Sequence, residues 1–433
     1  MIVMNRVRIL VVIASALCLV CLFYSTSFAQ QTNASIAWRF AVIGDTHVGS
    51  SDTLAEMIPW LLADSIDCLL LPGDIVEGGL GCTTPQLRTE LESWENILAP
   101  LTAKGIGIFP IRGNHEADAR NNLTVWNSFF SGSAQLPQNG PVDEVNRTYS
   151  FTLHNALFIA LDQYQSIHTV NQDWLDEQLE ASSAPHIFVF GHEPAFKVFH
   201  ADCLDDSIFA RDRFWQSLTR AGVQVYFCGH DHFIDVARID DHDGDVNNDV
   251  YQYLVGTGGG WRMDKYSNYN GDNGSYTPER LFHEMQHGYT LVEVSGDGDD
   301  DRDVRISWKP RRWDSSTASA VYDTAAYVLT YTADSPTGVR DADQPIPETA
   351  LTGNYPNPMS STTTLRYVLN APGQVSITIH DIFGQQLCQL LNAEQSAGWK
   401  QLSWDAGTLP TGIYMAVLRS GSTVSMREIA LIR

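Results

Sequence analysis

Five short polar clusters, each opened by a glycine, contain side chains that could bind metal ions. Each cluster directly follows an apolar run typical of a buried β-strand. Glycine lets the chain turn sharply and lets the backbone come close to a ligand. The clusters are Gly44-Asp45-Thr46-His47, Gly73-Asp74, Gly113-Asn114-His115-Glu116, Gly191-His192 and Gly229-His230-Asp231-His232. Because open α/β sheets bind ligands beyond the carboxyl ends of their strands, we expect the five clusters to meet at one site.

The candidate ligands combine two carboxylates, four imidazoles and one carboxamide. They are Asp45, His47, Asp74, Asn114, His192, His230 and His232. Mixed nitrogen and oxygen ligation suits Mn, Zn or Fe, and a carboxylate can bridge two such cations. Two cations about 4 Å apart polarise phosphoryl oxygens and generate hydroxide near neutral pH. His115 is left over from this set, and its position next to Asn114 suits proton donation to a leaving oxygen.

Short apolar runs alternate with amphipathic segments from about residue 37 onward. The runs predict strands at 38–43, 68–71, 106–111, 156–161, 186–190 and 223–227, and the amphipathic segments predict helices at 54–62, 87–101, 174–179 and 214–218. This alternation indicates an α/β fold with a largely parallel or mixed sheet. It fits a single open sheet as well as two packed sheets.

The motif series Asp-x-His, Gly-Asp, Gly-Asn-His-Glu, Gly-His and Gly-His-x-His resembles the calcineurin-like metallophosphoesterases over roughly residues 36–310. The resemblance implies a β-sandwich flanked by helices. It implies hydrolysis of phosphomonoesters or phosphodiesters by a metal-bridging hydroxide, with His115 as the acid. One metal would be held by Asp45, His47, Asp74 and His232, and the other by Asp74, Asn114, His192 and His230.

Residues 190–194 and 255–260 resemble the purple-acid-phosphatase-like branch of this superfamily. The iron-binding tyrosine of that branch would fall three residues after Asp74, where this chain has Glu77. His47 also supplies an imidazole that the purple enzymes lack. We therefore expect a colourless pair of Mn, Zn or Fe ions rather than an iron–tyrosinate centre.

A hypothesis from another functional class is a non-catalytic cell-surface binding protein built on a phosphoesterase scaffold. The complete set of seven candidate ligands plus His115 argues against it, because a decayed site usually loses members. The same set does not separate phosphomonoesterases from phosphodiesterases, since it describes only the shared phosphoryl machinery.

Two further motifs fit other metal sites less well. The stretch from His283 to His287 matches the helical H-E-x-x-H pattern of zinc proteases, but Gly288 and a strand-like run follow at once, so we expect surface or substrate-rim histidines. The alternating acids from Asp241 to Asp249 are similar to a calcium loop but lack the glycine at its sixth position. We expect a solvated hairpin tip there, with calcium as the disfavoured alternative.

The N-terminal segment predicts export. Arg6 and Arg8 precede a long apolar run and the small residues before Gln30, which is typical of a secretory signal peptide at residues 1–29. A permanent membrane anchor is the alternative. We expect a catalytic domain at 30–333 and a linker at 334–350, where Pro, Asp, Thr and Gly are frequent. We expect no stable membrane span in the mature form.

Residues 351–433 contain short alternating runs separated by turn residues, which predict a small all-β sandwich. Within it, residues 355–358, 381–384 and 410–414 resemble the type A C-terminal sorting domain of the type IX secretion system. The resemblance implies the type IX machinery as a partner and export through the periplasm and outer membrane. The product would be secreted or attached to the cell surface. A carbohydrate or adhesion module is the alternative.

The charge of the chain excludes one class of partner. The 433 residues carry a formal net charge of −24. Because nucleic-acid phosphates are bound through Lys and Arg, we expect no nucleic acid as a partner. A small phosphorylated substrate is compatible with the acidic charge, because metal ions can supply the positive charge that binds it. Cys82 and Cys203 fall in loop-like segments, and export permits a disulfide between them.

Overall fold

The computed structural model describes residues 36–132, 135–260, 268–296, 302–333, 349–355, 359–396 and 398–432. The predicted signal peptide at 1–29 and nearly all of the predicted linker at 334–350 lie outside these residues. The bounds of the four predicted segments stay predictions. Across the described ranges, no helix combines the length and the apolar character needed to cross a membrane.

Strands and helices alternate from residue 36 to residue 228, and a run of strands follows. The strands are β1 (Ile36–Val42), β2 (Cys68–Leu71), β3 (Gly107–Pro110), β4 (Tyr149–Leu153), β5 (Ala156–Ala160), β6 (His186–Phe190), β7 (Val225–Cys228), β8 (Ile234–Asp240), β9 (Val250–Val255), β10 (Thr277–Glu284), β11 (Gly288–Ser295), β12 (Asp303–Pro310), β13 (Arg312–Asp314), β14 (Ser319–Val321) and β15 (Tyr327–Thr332). The helices are α1 (Thr53–Ala63), α2 (Thr84–Thr102), α3 (Asn114–Asp118), α4 (Asn122–Phe129), α5 (Gln172–Ala181) and α6 (Ile208–Arg220), with a 3-10 turn at Leu204–Ser207.

Local sequence explains where the longest helix begins and which side it buries. The Thr83 hydroxyl accepts a hydrogen bond from the Gln86 amide, and a proline stands in the first turn of α2, where its missing N–H costs little. The buried residues of α2 recur at helical spacing and are Leu87, Leu91, Trp94, Leu98 and Leu101.

The strands before residue 333 form two large sheets. Their strand orders are β15-β12-β11-β1-β2-β3 and β10-β8-β9-β7-β6-β5-β4. Strands β1, β2 and β3 are parallel in the first sheet, and β5, β6 and β7 are parallel in the second. His192, directly after β6, contacts Asn114, which follows β3. The carboxyl ends of the two parallel groups therefore meet at one end of the fold.

Aromatic side chains from both sheets fill the space between them. The ring of Phe40 in β1 lies 4.8 Å from that of Phe188 in β6 and 5.2 Å from that of Phe158 in β5, centroid to centroid. All three are fully buried. Helices α1 and α2 pack against the first sheet, and α5 and α6 pack against the second. The predicted β-sandwich flanked by helices is confirmed.

The C-terminal part is all-β, as predicted. Its strands are β16 (Ala350–Tyr355), β17 (Thr362–Leu369), β18 (Gly373–His380), β19 (Gln386–Gln395), β20 (Gly398–Asp405), β21 (Gly412–Ser420) and β22 (Thr423–Leu431). They form sheets of order β16-β17-β20 and β19-β18-β21-β22. One apolar cluster containing Leu365, Ile377, Trp404 and Leu418 holds the two sheets together.

Cys82 and Cys203, between which export would permit a disulfide, are not joined by one. Both residues are buried free thiols, as are Cys68 and Cys228. Cys82 packs into the cluster around the first sheet, whereas Cys203 precedes Leu204, which belongs to the separate cluster on the second sheet. Loop-like flanking sequence does not distinguish an exposed thiol from one buried under a turn.

Candidate metal centre

All seven predicted ligands and His115 lie at the end of the sandwich where the parallel strands of both sheets end. Asp45 and His47 follow β1, Asp74 follows β2, and Asn114 and His115 open α3 after β3. From the second sheet, His192 follows β6, and His230 and His232 follow β7. The sequence prediction that the five clusters meet is therefore confirmed by the geometry.

One group of donor atoms is formed by Asp45, His47, Asp74 and His232. The Nε2 atoms of His47 and His232 are 3.1 Å apart. His232 Nε2 lies 3.5 Å from Asp45 Oδ1, and His47 Nε2 lies 3.8 Å from Asp74 Oδ2. The four ligand atoms all lie within 4.8 Å of one another, which is close enough for a single ion to contact all of them.

A second group is formed by Asp74, Asn114, His192 and His230. Asn114 Oδ1 lies 3.0 Å from His192 Nε2 and 3.1 Å from His230 Nδ1. His192 Nε2 lies 3.4 Å from Asp74 Oδ2. The same Asp74 oxygen thus borders both groups.

The hydrogen bonds of the outer ring nitrogens aim lone pairs into the site. His192 Nδ1 donates to the Pro72 carbonyl over 2.8 Å, and His47 Nδ1 donates to Glu77 Oε2 over 3.2 Å. In their neutral forms both imidazoles then present an unprotonated Nε2 to the carboxylates and to Asn114 Oδ1. Such a concentration of acceptors facing one another needs positive charge between them, so the donor set fits divalent cations.

The pKa shifts of the site residues also indicate that the pocket favours positive charge. Burial lowers the pKa of His192, but the carboxylates of Asp74 and Asp45 and the Pro72 carbonyl together outweigh burial, and the pKa rises to about 10. Burial raises the pKa of Asp45 to about 7. Burial also opposes ionisation of Asp74, yet His192 and His115 hold its pKa well below the usual value. The pocket therefore favours positive charge at its centre.

Four of the predicted ligands adopt left-handed backbone conformations. The φ angles are 57° for Asp45, 43° for His47, 47° for Asp74 and 75° for His230. Such conformations cost on the order of 1–3 kcal/mol each outside glycine and concentrate at functional sites. The backbone is therefore bent to aim these side chains rather than to extend the strands.

Two glycines leave room that the ligands occupy. A Cβ atom on Gly113 would lie 2.1 Å from Asp74 Oδ1, and one on Gly73 would lie 2.4 Å from His192 Nδ1. Both distances are far shorter than van der Waals contact, so any side chain at either position would displace a ligand. This is the close backbone approach that the glycine before each cluster predicts.

Glu116 ties the loops after β2 and β3 together. Its Oε2 accepts hydrogen bonds from the amides of Gly113 (2.7 Å) and Asp74 (3.1 Å), and its Oε1 accepts one from Val76 (2.9 Å). The side chain is almost fully buried. The carboxylate therefore fixes the spacing between the loops that carry Asp74 and Asn114.

Comparison with known proteins agrees with this geometry. A family model described as calcineurin-like phosphoesterase matches residues 39–233, a range that includes all eight of these residues. Residues 39–233 form a calcineurin-like phosphoesterase domain. A second family model, described as a secretion system C-terminal sorting domain, matches residues 354–432. That domain indicates export by the type IX secretion system to the cell surface or the extracellular space, so the predicted localisation is confirmed.

Solved structures support the fold of the phosphoesterase domain. The purple acid phosphatase PPD1 from yellow lupin (Lupinus luteus) has a TM-score of 0.50 and 14% identity over 69% of this chain and 54% of that one. The structure titled PhoD has a TM-score of 0.51 and 12% identity over 69% of this chain and 70% of that one. This chain thus spans about half the length of the lupin protein. A search of curated proteins finds no match.

Glu77 of the phosphoesterase domain contacts His47. Its Oε2 contacts His47 Nδ1 and accepts a hydrogen bond from the Ser50 hydroxyl over 2.6 Å. The hydrogen bond with His47 lowers the pKa of Glu77 to about 2. This carboxylate fixes the tautomer of the predicted ligand His47, as carboxylates beside metal-binding histidines commonly do.

Asp202 is a residue that the sequence analysis missed. It is exposed, and its Oδ1 lies 3.6 Å from Nε2 of His230, the ring nitrogen that faces away from Asn114. The interaction with the His230 ring lowers the pKa of Asp202 to about 2. No local motif surrounds Asp202, because its role depends on how the loop after β6 folds back over His230.

In the described residues, one of the two other motifs lies on a strand and the other lies between two strands. His283 lies in strand β10, and its Nδ1 contacts Asp235 Oδ2 at 2.8 Å, so this motif does not have the helical setting of the zinc-protease pattern. The acidic stretch from Asp241 forms the connection between β8 and β9, as expected for a hairpin tip. Asp249 at its end is buried and pairs with Arg238 over 2.6 Å.

Proposed function

We propose that the mature chain is a secreted, dinuclear metal-dependent phosphoesterase that hydrolyses phosphomonoesters or phosphodiesters. The observation that carries the proposal is the position of Asp74. Its Oδ2 lies 3.8 Å from His47 Nε2 in one donor group and 3.4 Å from His192 Nε2 in the other. A carboxylate oxygen common to two groups of candidate ligands suits a pair of closely spaced cations.

The proposed cations are Mn, Zn or Fe, which suit mixed imidazole and oxygen ligation. When bound, they supply Lewis acidity toward phosphoryl oxygens and an acidic water that provides the nucleophile near neutral pH. The residues proposed to hold one cation are Asp45, His47, Asp74 and His232, and those proposed to hold the other are Asp74, Asn114, His192 and His230.

His115 is proposed as the general acid. Its backbone amide donates to Asp74 Oδ1 over 2.9 Å, which holds the residue at the edge of both donor groups. Its Nδ1 donates to the carbonyl of Glu77. The ring stands edge-on to His47 with centroids 4.5 Å apart. With Nδ1 engaged, Nε2 is the atom that can carry a proton to the leaving oxygen.

The alternative is a non-catalytic cell-surface binding protein on the same scaffold. The eight residues are intact and converge, and Glu77 and Glu116 hold His47 and the ligand loops in place. Supporting interactions of this kind are maintained where ligand geometry matters for chemistry. This organisation favours the enzyme over the binding protein.

Hydrolysis of a generic phosphomonoester and a generic phosphodiester by the purified chain, with added Mn or Zn, tests the proposal. We expect turnover of at least one substrate and its loss in Asp74→Asn together with reduced bound metal. Asp52→Asn, at an exposed position before α1 without a capping hydrogen bond, is the matched control and should keep full activity. A wild-type chain that binds metal but hydrolyses neither substrate would favour the binding protein, and full activity of Asp74→Asn with metal bound would overturn the site assignment.

A further inference from the structure

Two neighbouring residues directly after β5, Asp162 and Gln163, contact both of the loops that carry Asn114 and His192. Asp162 binds the loop after β3 through Arg112. Gln163 binds the loop after β6 through the amide of His192. The two loops belong to different sheets, yet Asn114 Oδ1 and His192 Nε2 are only 3.0 Å apart. Asp162 and Gln163 therefore reach both sides of the second donor group.

Asp162 and Arg112 form a buried ion pair with a forked geometry. Arg112 Nε and Nη2 both donate to Asp162 Oδ1 over 3.0 Å, and Nη2 also donates to Oδ2 over 2.7 Å. The remaining nitrogen, Nη1, donates to Asn122 Oδ1 over 2.8 Å. Arg112 is 2% exposed and Asp162 is 1% exposed. Because the planar guanidinium is bound at all three nitrogen atoms, its orientation is fixed, and with it the backbone two residues before Asn114.

Gln163 holds the other loop by its backbone. Its Oε1 accepts hydrogen bonds from the amides of His192 over 2.6 Å and Glu193 over 2.7 Å, and its Nε2 donates to the Tyr226 hydroxyl over 2.9 Å. A Cβ atom on Gly191 would lie 2.8 Å from Gln163 Nε2, so the glycine before His192 leaves room for this contact. The Gln163 side chain is fully buried. It therefore fixes the position from which the His192 ring enters the site.

The first donor group is held by different contacts. The Asp45 amide donates to the Gly73 carbonyl over 3.1 Å, which joins the loops after β1 and β2. The His47 amide donates to the Asp74 carbonyl over 3.1 Å, and the His47 ring contacts Glu77. These bonds lie between neighbouring loops of one sheet. A change at Asp162 or Gln163 should therefore affect the second donor group and leave the first in place.

We propose that Asp162 and Gln163 are positioning residues for the second cation. They set the distance between Asn114 and His192 and so determine whether the chain binds one cation or two. Asp162 acts through Arg112, and Gln163 acts through the His192 backbone. The inference rests on the proposed dinuclear function and adds the residues on which occupancy of its second position depends.

Calorimetric titration of the purified full chain, stripped of metal, with Mn²⁺ tests the proposal. Gln163→Met keeps the length of the side chain and removes the acceptor for the two amides. Arg112→Gln removes the forked pair, while Arg147 Nη1, 3.3 Å from Asp162 Oδ2, still pairs with the carboxylate. Each variant should weaken the second Mn²⁺ about 10–100-fold, as loss of an outer partner commonly does, and should bind the first as the wild type does.

Arg238→Gln is the matched control for a lost ion pair in the same sheet. Arg238 pairs with the buried Asp249 over 2.6 Å, near the connection between β8 and β9. This variant should bind two Mn²⁺ ions with wild-type affinity. If Arg112→Gln does not fold, Arg112→Lys keeps the charge but not the fork and should show the same selective loss.

Electron paramagnetic resonance of the Mn²⁺-loaded chain separates positioning from a general loss of structure. At one concentration of Mn²⁺, the wild type should give the spectrum of a coupled pair and the Gln163 and Arg112 variants that of an isolated ion. Excess Mn²⁺ should restore the coupled spectrum in both variants. A merely structural role would instead weaken both cations together, and that result would overturn the inference.

The outcomes distinguish this inference from the proposed function. Wild-type affinity for both cations in Gln163→Met and in the Arg112 variants would overturn the inference, even if the wild type hydrolyses its substrates. A wild-type chain that binds two Mn²⁺ ions without hydrolysis would refute the proposed function, and selective loss of the second ion in the variants would still support the positioning role. A wild type that binds a single Mn²⁺ would overturn both.

Discussion

Replacing Glu116 by glutamine changes one atom of the side chain that ties the loop after β2 to the loop after β3. The carboxylate accepts three backbone hydrogen bonds, two at Oε2 and one at Oε1. A glutamine oxygen can take the place of Oε2 and keep the bonds from Asp74 and Gly113. Its amino group must then face the Val76 amide, so two donors meet in a buried space.

These contacts determine the expected loss in the free energy of unfolding. Leaving the Val76 amide without an acceptor costs about 1–3 kcal/mol, and the two remaining bonds lose the strengthening that a charged acceptor provides. We expect a loss of about 3 kcal/mol in the free energy of unfolding, which lowers the melting temperature of the phosphoesterase domain by about 5–10 °C. Because the loop positions of Asp74 and Asn114 depend on Glu116, metal affinity should fall about 10–100-fold.

Urea denaturation and metal titration of the purified variant measure both effects. Glu90 provides the control, because its Oε2 accepts the Gly78 amide over 2.9 Å while the side chain remains partly exposed. Glu90→Gln should cost well under about 1 kcal/mol, since water can replace the missing acceptor. If Glu116→Gln is as stable as Glu90→Gln and binds metal as tightly as the wild type, the carboxylate does not fix the loops and our reasoning fails.

Three further changes test separate parts of the site and the fold. His115→Ala should lose turnover about 10²-fold or more while keeping its bound metal; loss of the metal, measured by elemental analysis, would make His115 structural instead. Asp202→Asn should weaken binding of the cation next to His230 about 10–100-fold, and an unchanged calorimetric affinity would contradict an orienting role. Glu144→Gln should gain stability relative to the wild type as the pH rises. Burial raises the pKa of Glu144, so the folded chain keeps this proton to a higher pH than the unfolded chain, and wild-type stability falls as the pH rises through that interval. Denaturation of the variant and the wild type at several pH values measures their difference in stability, and a difference that does not change with pH would contradict the prediction.

The convergence of the candidate ligands could be predicted from the sequence because these residues sit in short clusters at strand ends. Each cluster is readable locally, and the order of the clusters requires them to meet if the strands are parallel neighbours. Asp45, Asn114 and His192, which lie far apart in sequence, accordingly come together. Supporting residues are harder to find. Asp202 reaches His230 only through the path of a loop, and no spacing or composition near it signals that contact.

The sandwich itself was not predictable from local patterns alone. Strand β1 pairs with β11, and Arg39 lies opposite Glu293. Hydrophobic periodicity does not predict a pairing between residues so far apart in sequence. An apolar run predicts a strand, but it does not predict on which sheet the strand will lie. The resemblance to a family supplied that information. Whether Cys82 and Cys203 form a disulfide could not be decided from the sequence for a related reason, because a turn-rich sequence around a thiol does not reveal what packs over it.

The left-handed backbone at four ligand positions decides which substitutions can be interpreted. Alanine tolerates that conformation poorly, whereas asparagine adopts it several-fold more readily than most residues. An alanine replacement of Asp45, Asp74 or His230 would therefore mix a lost ligand with a strained loop. Asparagine adopts the same backbone conformation without strain. In place of Asp45 or Asp74 it removes the negative charge and one oxygen, and in place of His230 it removes the imidazole. A substitution series built on asparagine would report on metal chemistry, and a parallel alanine series would measure how much the turns themselves contribute.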